Sequence, residues 1–368
     1  MREPTWTDAE RRRMRLACRL ARKAAGRTSP NPMVGAVLVR GDEIVGTGYH
    51  HFAGGDHAEI DALKHAGAKA RGAALYINLE PCSHFGRTPP CTRALIASGV
   101  KEVIAGMKDP NPLVAGRGFR QLRSAGVRVR CGLLQDECER LNEAFAKFIT
   151  RRIPFVTLKI AGTLDGRIAA ASGDARWISG PQSRDLVHRL RNEVDAVIVG
   201  SGTVLADDPQ LTCRIPGGRN PWRVILDTRL RISPRAQIFS QPEPEKTIVF
   251  TGPNASLRKV EALQSSGARV FNLPVQNRKI SWAALLKNLG KFDLTSVLIE
   301  GGSTIAATAL QKRIVDKVLF FYAPKILGGD GLPMFGPLGI RRVRDAIMLE
   351  ELEVRRSGDD VMISGYLR

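Results

Sequence analysis

The sequence predicts an α/β protein of two domains, on three observations. Its 368 residues are long for one domain and comfortable for two, each able to bury its own core. Strand-like and helix-like patterns alternate through both halves, which argues for a parallel or mixed sheet covered by helices on both faces. The pattern begins again with a strand after Arg151-Arg152 and Pro154, so a first domain over residues 1–150 and a second over 151–368 are expected.

Residues 7–25, TDAERRRMRLACRLARKAA, carry apolar positions at helical spacing, with Thr7 or Asp8 as N-cap and Gly26 as stop. SPNPMVGAVLVR then gives a turn and a strand, and DEIVGTGYH its hairpin partner. Asn31, between two prolines, is either a plain turn residue or a fixed amide able to read the edge of a ring. After the segment from His57 to Cys91, VKEVIAGMKD reads as a strand, PNPLVAGRG as a loop, GFRQLRSAG as a helix and VRVRCG as a strand. One helix, LLQDECERLNEAFAKFI, closes the first half.

The second half opens on the strand FVTLKIAGTLDGRIAA. Lys159 inside so apolar a strand costs free energy unless paired, so it either points to solvent at a strand end or belongs to a site. The helix SRDLVHRLRNEV follows, and DAVIVGSGTVLADDPQLTCR carries a buried strand into a glycine turn and an acidic loop. Such a turn beyond a parallel strand is where backbone amides meet phosphate. RVILD, TIVFTG and ARVFNLP are strands, and SVLIEGGSTIAATALQ is a strand, a glycine pair and a helix. Ser303 and Thr304 add hydroxyl donors there, so Glu300 to Thr304 is the better phosphate cradle. KVLFFYAPKILGG and the pair AIMLEELEVRRSG with DVMISGYLR read as antiparallel strands.

The chemistry concentrates between His57 and Cys91. Gly54-Gly55-Asp56 is turn-like, so His57 should open a helix with Glu59 in its first turn. Cys82 ends a strand after Pro81, and Cys91 opens the helix CTRALIAS. Two thiolates and one imidazole make a three-ligand zinc site with a fourth position left for water, as a catalytic site requires. Helix N-termini favour thiolate over thiol. Glu59 lies beside the metal without being a ligand. The pattern resembles the zinc-deaminase signature H-x-E with P-C-x-x-C, in which the glutamate shuttles protons; here eight residues separate the cysteines rather than two.

Composition narrows the function classes. No apolar run approaches the length of a bilayer span and the N-terminus lacks a signal-peptide core, so a cytoplasmic protein with no membrane partner is expected. Six cysteines are too few for a disulfide framework; Cys18, Cys131, Cys138 and Cys213 read as ordinary thiols. The net charge of +20 is spread, with 24 Lys and Arg against 15 Asp and Glu in residues 1–150 and 32 against 21 beyond. A diffuse balance suits phosphorylated substrates more than a nucleic-acid groove, and aromatics are sparse, so no nucleic-acid partner is expected. That counts against a deaminase acting on RNA; a deaminase joined to a non-catalytic nucleotide sensor stays open.

Over almost its whole length the chain resembles the bifunctional riboflavin-biosynthesis deaminase/reductases. The motifs are SPNPMVGAVLV, GYHHFAGGDHAE, LEPCSHFGRTPPC and DPNP in the first half, then TLKIAGTLDGRIA, RWISG, GSGTVLADDPQLTCR and IEGGST. The resemblance implies a cytidine-deaminase-like three-layer α/β/α domain followed by a dihydrofolate-reductase-like α/β domain. It implies zinc-dependent removal of the 2-amino group of a phosphorylated diaminopyrimidinone, then reduction of its ribosyl chain by NADPH. By position it implies zinc on His57, Cys82 and Cys91, Glu59 as proton carrier, and substrate contacts at Asn31, His50, Arg87 and Asn111. In the second half it implies NADPH contacts at Ala161, Trp177, Thr203, Asp207, Gly302, Ser303 and Thr304, and substrate contacts at Arg191, Leu211, Arg214 and Glu300. Asp207, with Lys159 or Glu300, is expected to orient the ribosyl imine, although Asp207-Asp208-Pro209 also reads as a plain turn. Relatives suggest a homo-oligomer. Three positions depart from the family pattern: Ala175 stands where relatives carry a serine that touches substrate, Asn78 where threonine is usual, and Asp61 where histidine is common. Asn78 and Asp61 are expected to tune the surroundings of the site only.

Overall fold

Thr7 starts the first helix by a reciprocal cap: its hydroxyl accepts the Glu10 N–H at 3.2 Å, and the Glu10 carboxylate accepts the Thr7 N–H at 2.8 Å. The protein is described from a computed structural model over residues 5–83, 89–112 and 114–368. The chain divides into two compact units, Met1–Arg152 and Ile153–Arg368.

The first unit runs α1 (Asp8–Arg22), β1 (Gly35–Arg40), β2 (Glu43–Tyr49), α2 (Ala58–Ala66), β3 (Ala74–Leu79), α3 (Cys91–Ala97), β4 (Glu102–Met107), α4 (Arg117–Ser124), β5 (Arg128–Cys131), α5 (Gln135–Leu141) and α6 (Glu143–Arg151). Its sheet has the order β2-β1-β3-β4-β5. β1 is antiparallel to β2 and β3, and β3, β4 and β5 are parallel. Alternation along each strand feeds two separate cores. Ala36, Leu38, Leu75, Ile77 and Val103 pack with Ala62, Leu95 and Leu122 of α2, α3 and α4. Val37, Val39, Tyr76 and Ile104 pack with Met14, Ala17, Cys138 and Leu141 of α1 and α5. The result is three layers. Glycine sets how closely the inner helices approach: a Cβ on Gly48 would stand 2.4 Å from the Ala62 nitrogen, and one on Gly35 2.1 Å from the Ala17 oxygen.

The single closing helix expected from the sequence is two helices, broken at Asn142. The reason is a contact made far along the chain. Buried Asn142 accepts the Met33 N–H at 2.8 Å and donates to the Met33 carbonyl at 3.0 Å, which holds its backbone at φ −114° and ψ 21°.

The second unit runs β6 (Phe155–Thr163), β7 (Arg167–Ala169), α7 (Pro181–Glu193), β8 (Ala196–Gly200), α8 (Ser201–Asp207), β9 (Trp222–Leu226), β10 (Thr247–Thr251), α9 (Leu257–Ser265), β11 (Arg269–Asn272), β12 (Val275–Gln276), β13 (Lys279–Ile280), α10 (Trp282–Lys291), β14 (Ser296–Ile299), α11 (Ser303–Gln311), β15 (Lys317–Ala323), β16 (Leu332–Pro333), β17 (Leu349–Ser357) and β18 (Asp360–Leu367). The large sheet has the order β11-β10-β9-β8-β14-β6-β15-β18-β17. It is parallel from β11 to β15, and β18 and β17 join antiparallel. One face packs Val156, Leu158, Ile198 and Phe250 against Leu285 and Leu289 of α10 and Ala306 of α11. The other packs Val197, Val199, Ile225 and Val249 against Val204 of α8 and Leu263 of α9.

Three expectations change in this unit. FVTLKIAGTLDGRIAA is two strands and a turn, because Thr163 turns the chain: its hydroxyl accepts the Arg167 N–H at 2.9 Å and donates to Asp165 at 2.6 Å. The expected glycine turn after β8 is the short helix α8, which buries Val204. Helices α9 and α10 fill the crossovers between parallel strands, as that sheet direction requires.

Asn142→Ala removes both bonds to Met33. The urea midpoint should fall by the equivalent of about 2 kcal/mol, the usual cost of orphaning a buried backbone group; an unchanged midpoint would show that the clasp adds nothing.

Candidate active sites

His57 is the N-cap of α2, and Cys91 is the first residue of α3. Cys82 does not end a strand; it lies in the loop three residues beyond Leu79, where β3 stops. The parallel pairing of β3 with β4 sets these starts at one end of the sheet. His57 Nδ1 stands 3.5 Å from Cys82 Sγ and 3.2 Å from Cys91 Sγ, and all three donor atoms lie within 4.8 Å of one another. Ligands of a tetrahedral zinc stand about 3.5 Å apart, so this donor set fits that ion in type and spacing. The Cys91 thiol donating to Cys82, with His57 beside it, holds the Cys82 thiol down to about 4. Cys91 keeps the shared proton and is pushed up. Glu59, in the first turn of α2, is buried against this group. Burial, with the Cys82 charge adding to it, pushes its carboxyl up to about 7.

Asn31 and His50 come to the same place. The Asn31 amide donates to His50 Nε2 at 3.1 Å, and the other ring nitrogen donates to the Asp56 carbonyl at 2.9 Å. Those partners fix a neutral tautomer, and burial pushes the imidazole pKa down. Its ring meets that of His57 edge-on, with centroids 5.4 Å apart. Asn31 also closes a turn, its N–H donating to the Thr28 carbonyl at 2.7 Å. Buried Asn78 accepts the Gly35 N–H at 2.8 Å and donates to the Met33 carbonyl at 2.9 Å, so it secures the segment that follows Asn31. Asp61 accepts the Tyr49 N–H at 3.1 Å and bonds His51 at 3.2 Å. Arg87 lies outside the described residues.

Glu80, not singled out from the sequence, holds the segment between β4 and α4. Its buried carboxylate accepts the backbone N–H groups of Asp109 at 3.2 Å, Gly116 at 2.8 Å and Phe119 at 3.2 Å. The segment that carries Asn111 is thereby tied to the residue two before Cys82. The signal was an acidic residue inside LEPC with no metal role.

In the second unit a cavity of about 560 Å³ opens beyond β6, β8 and β14. Lys159, Ala161, Trp177, Thr203, Asp207, Arg191, Leu211, Arg214, Glu300 and Gly302 all line it. Ser303 and Thr304 begin α11 beside it but are not part of the lining. Lys159 faces the cavity rather than solvent at a strand end, with Nζ 5.7 Å from the Phe321 ring centroid. Burial pushes its ammonium pKa down, against the pull of Glu300. Arg191 grips Glu300 with two bonds of 2.7 and 2.9 Å and donates to the Thr212 carbonyl at 3.1 Å. Burial alone would raise the Glu300 carboxyl; Arg191 outweighs it and holds the group below the ordinary value. Burial raises Asp207. A Cβ on Gly301 would stand 1.8 Å from Ile305 Cγ2, so that backbone must stay bare, which suits a dinucleotide lying against it. His188 was missed: Arg214 Nε donates to its Nε2 at 3.1 Å. Its spacing from Arg184 and Arg191, four and three residues along α7, put all three on one helix face.

Soft donors with a buried carboxylate, and a cofactor-sized cavity at the strand ends of a parallel sheet, define a metal-dependent deaminase joined to a dinucleotide-dependent reductase. The family model described as the cytidine and deoxycytidylate deaminase zinc-binding region matches residues 7–107, and that of the RibD C-terminal domain matches residues 154–363. The chain is 42% identical over 357 residues to riboflavin biosynthesis protein RibD of Aquifex aeolicus (strain VF5), covering 97% of this chain and 98% of that one. To RibD of Escherichia coli (strain K12) it is 40% identical over 365 residues, covering 95% and 97%. Among solved structures, Acinetobacter baumannii RibD, form 1, superposes with a TM-score of 0.89 at 36% identity, covering 98% of this chain and 99% of that one. A diaminohydroxyphosphoribosylaminopyrimidine deaminase/5-amino-6-(5-phosphoribosylamino)uracil reductase from Thermotoga maritima does so at 0.86 and 39%, with the same coverage. The chain belongs to the RibD family of riboflavin biosynthesis proteins. It is a bifunctional enzyme, a zinc-dependent deaminase and an NADPH-dependent reductase, with a cytidine-deaminase-like fold followed by a dihydrofolate-reductase-like one. Among the described residues no helix is long and apolar enough to cross a membrane.

Glu80→Gln would turn an amide N–H toward three backbone donors. Its deaminase KM should rise about 10-fold, as expected when one charged hydrogen-bond set is broken, with zinc content and kcat nearly unchanged; a wild-type KM would mean that Glu80 does not hold the Asn111 segment.

Proposed function

We propose that residues 1–150 deaminate 2,5-diamino-6-(5-phosphoribosylamino)pyrimidin-4(3H)-one and that residues 151–368 then reduce its ribosyl group to the ribityl chain. The observation that carries the first step is Glu59, buried against the His57, Cys82 and Cys91 donors with its carboxyl near 7. His57, Cys82 and Cys91 would hold the zinc, which would supply Lewis acidity to the attacking water. Glu59 takes a proton from that water and returns it to the departing amino nitrogen, which leaves as ammonia as the ring C–O bond forms. A carboxyl near the working pH serves both directions. His50, kept neutral, and Asn31 orient the pyrimidine from one side, Asn111 from the other, and Arg87 meets the phosphate.

The second step needs its substrate phosphate held while charge changes at C1'. NADPH supplies the hydride when bound, against Ala161, Trp177, Thr203, Asp207 and the Gly302, Ser303 and Thr304 turn. Glu300, held ionised by Arg191, orients the sugar. Asp207, raised by burial, and Lys159, lowered by burial, hold and pass the proton. Arg214 bonds the imidazole of His188 and not a carboxylate, which suits it to the phosphate; Leu211 lines the same cavity. The diffuse positive charge and six free thiols support a cytoplasmic enzyme with no nucleic-acid partner, and family resemblance supports a homo-oligomer.

Glu59→Gln should retain one zinc per chain while ammonia release falls about 10³-fold, the scale of a missing proton carrier; full activity would refute the assignment. Asp207→Asn should slow NADPH oxidation with the deaminated substrate by about 10²-fold, and hydride transfer at the normal rate would remove Asp207 from the mechanism.

A further inference from the structure

Trp177 lines the reductase cavity from a segment that burial hardly holds. Its side chain is among the exposed ones, at 62%, and Ala171, Ser172, Gly173, Asp174 and Arg176 around it are exposed as well. A stretch with so few buried contacts sits at the low end of local stability, so its placement rests on hydrogen bonds and stacking. Two neighbours supply them. Arg184 of α7 lies over the indole with its guanidinium carbon 4.6 Å from the ring centroid, and donates to the Ser179 carbonyl at 2.7 Å. The Lys325 ammonium donates to the Trp177 backbone carbonyl.

Lys325 can hold that carbonyl only if its own backbone is fixed, and its loop, residues 324–330 between β15 and β16, is exposed throughout. Asp165, in the turn between β6 and β7, ties the loop down. Its carboxylate accepts the Gly328 N–H at 2.7 Å and the Leu327 N–H at 3.3 Å to both oxygens. Beside it the Leu164 N–H donates to the Lys325 carbonyl at 2.9 Å. The Thr163 hydroxyl donates to the same carboxylate and holds it below the usual range, so it stays an anionic acceptor at neutral pH. Closing the local turn does not require the other bonds, since Leu327 and Gly328 lie 162 and 163 residues further along the chain. Neither Asp165 nor Lys325 lines the cavity. The geometry points to Asp165 as a positioning residue of the reductase, which fixes the 324–330 loop so that Lys325 holds Trp177 where NADPH is to lie against it. This deepens the reading of Trp177 as a cofactor contact and rests on it. With the loop untied, the cofactor must order Trp177 as it binds, and that cost is subtracted from its affinity. The hydride step itself is unaffected, because neither Asp165 nor Lys325 reaches the reacting atoms.

The test uses the full-length chain and reads NADP⁺ binding by titration calorimetry beside NADPH oxidation. Asp165→Ala and Lys325→Met should each raise the NADP⁺ dissociation constant about 5-fold, the scale of one net hydrogen bond. KM for NADPH should rise in step while kcat stays near the wild-type value. Both substitutions break one route, so the double variant should bind no worse than the weaker single one; effects that multiply to about 25-fold would show separate actions and overturn the route. Asp165→Asn, whose amide oxygen still accepts one of the two N–H groups, should fall between wild type and Asp165→Ala. Should Asp165→Ala fail to fold, Lys325→Met probes the same contact from an exposed loop, and a wild-type constant there overturns the proposal. Trp177→Ala separates the two readings. If it binds NADP⁺ as the wild type does, Trp177 is not a cofactor contact and the proposal falls with that reading. If it binds weakly while Asp165→Ala and Lys325→Met bind normally, the contact stands and the positioning role is overturned.

Discussion

Three donor atoms from three separate segments must converge within reach of one ion, and the first unit is arranged around that requirement. His57, Cys82 and Cys91 belong to two helix starts and a loop, and the parallel neighbours β3 and β4 bring those to one end of a sheet. The sulfurs stand 3.2 to 3.5 Å from the imidazole. Zinc bound there would need the ligands deprotonated, so its binding energy would also be folding energy and would depend on pH. The walls answer the same demand. Gly48 lets α2 lie on β2, Asn78 and Asn142 grip Met33 beside the Asn31 turn, and Glu80 holds the segment of Asn111.

The two units use buried carboxylates in opposite ways. At Glu59 burial outweighs the nearby His57 and raises the carboxyl to about 7. Glu300 is as deeply placed, but the two-pronged contact with Arg191 wins instead and keeps it charged. A buried pair of this kind adds little net stability, although leaving one partner alone costs about 3 to 5 kcal/mol. Its value lies in a fixed anion next to Lys159 and in an arginine whose charge is already matched. Arg214, bonded to His188, adds further positive charge to the cavity, as do Arg176 and Arg184.

The metal ligands were legible because their chemistry admits few alternatives: one histidine, two cysteines, a glutamate two residues on, and prolines and glycines that mark the turns. The start of α1 was legible because Thr7 and Asp8, both residues suited to an N-cap, precede the helical pattern, and Thr7 is the one that caps it. What stayed hidden depends on distance along the chain. Asn142 lies inside a helical pattern, and nothing local reveals that it bonds Met33, 109 residues earlier. Glu80 looked like part of a strand end, since its three partners are backbone groups that no side-chain pattern marks. His188 shared a helix face with two arginines, and that spacing was there to be read. Lys159 could be narrowed to two roles from its apolar neighbours, and in the structure it lines the cavity beside β6.

The clasp on Met33 also says where the first half of the molecule ends. The signature of the deaminase is complete by residue 107 and its last strand by residue 131, so a shortened protein stopping at either point would look sufficient on paper. Such a piece would lack Asn142, whose side chain holds both backbone groups of Met33, two residues after Asn31. The smallest self-standing catalyst is set by the farthest residue that braces the pocket, not by the last one that touches its contents.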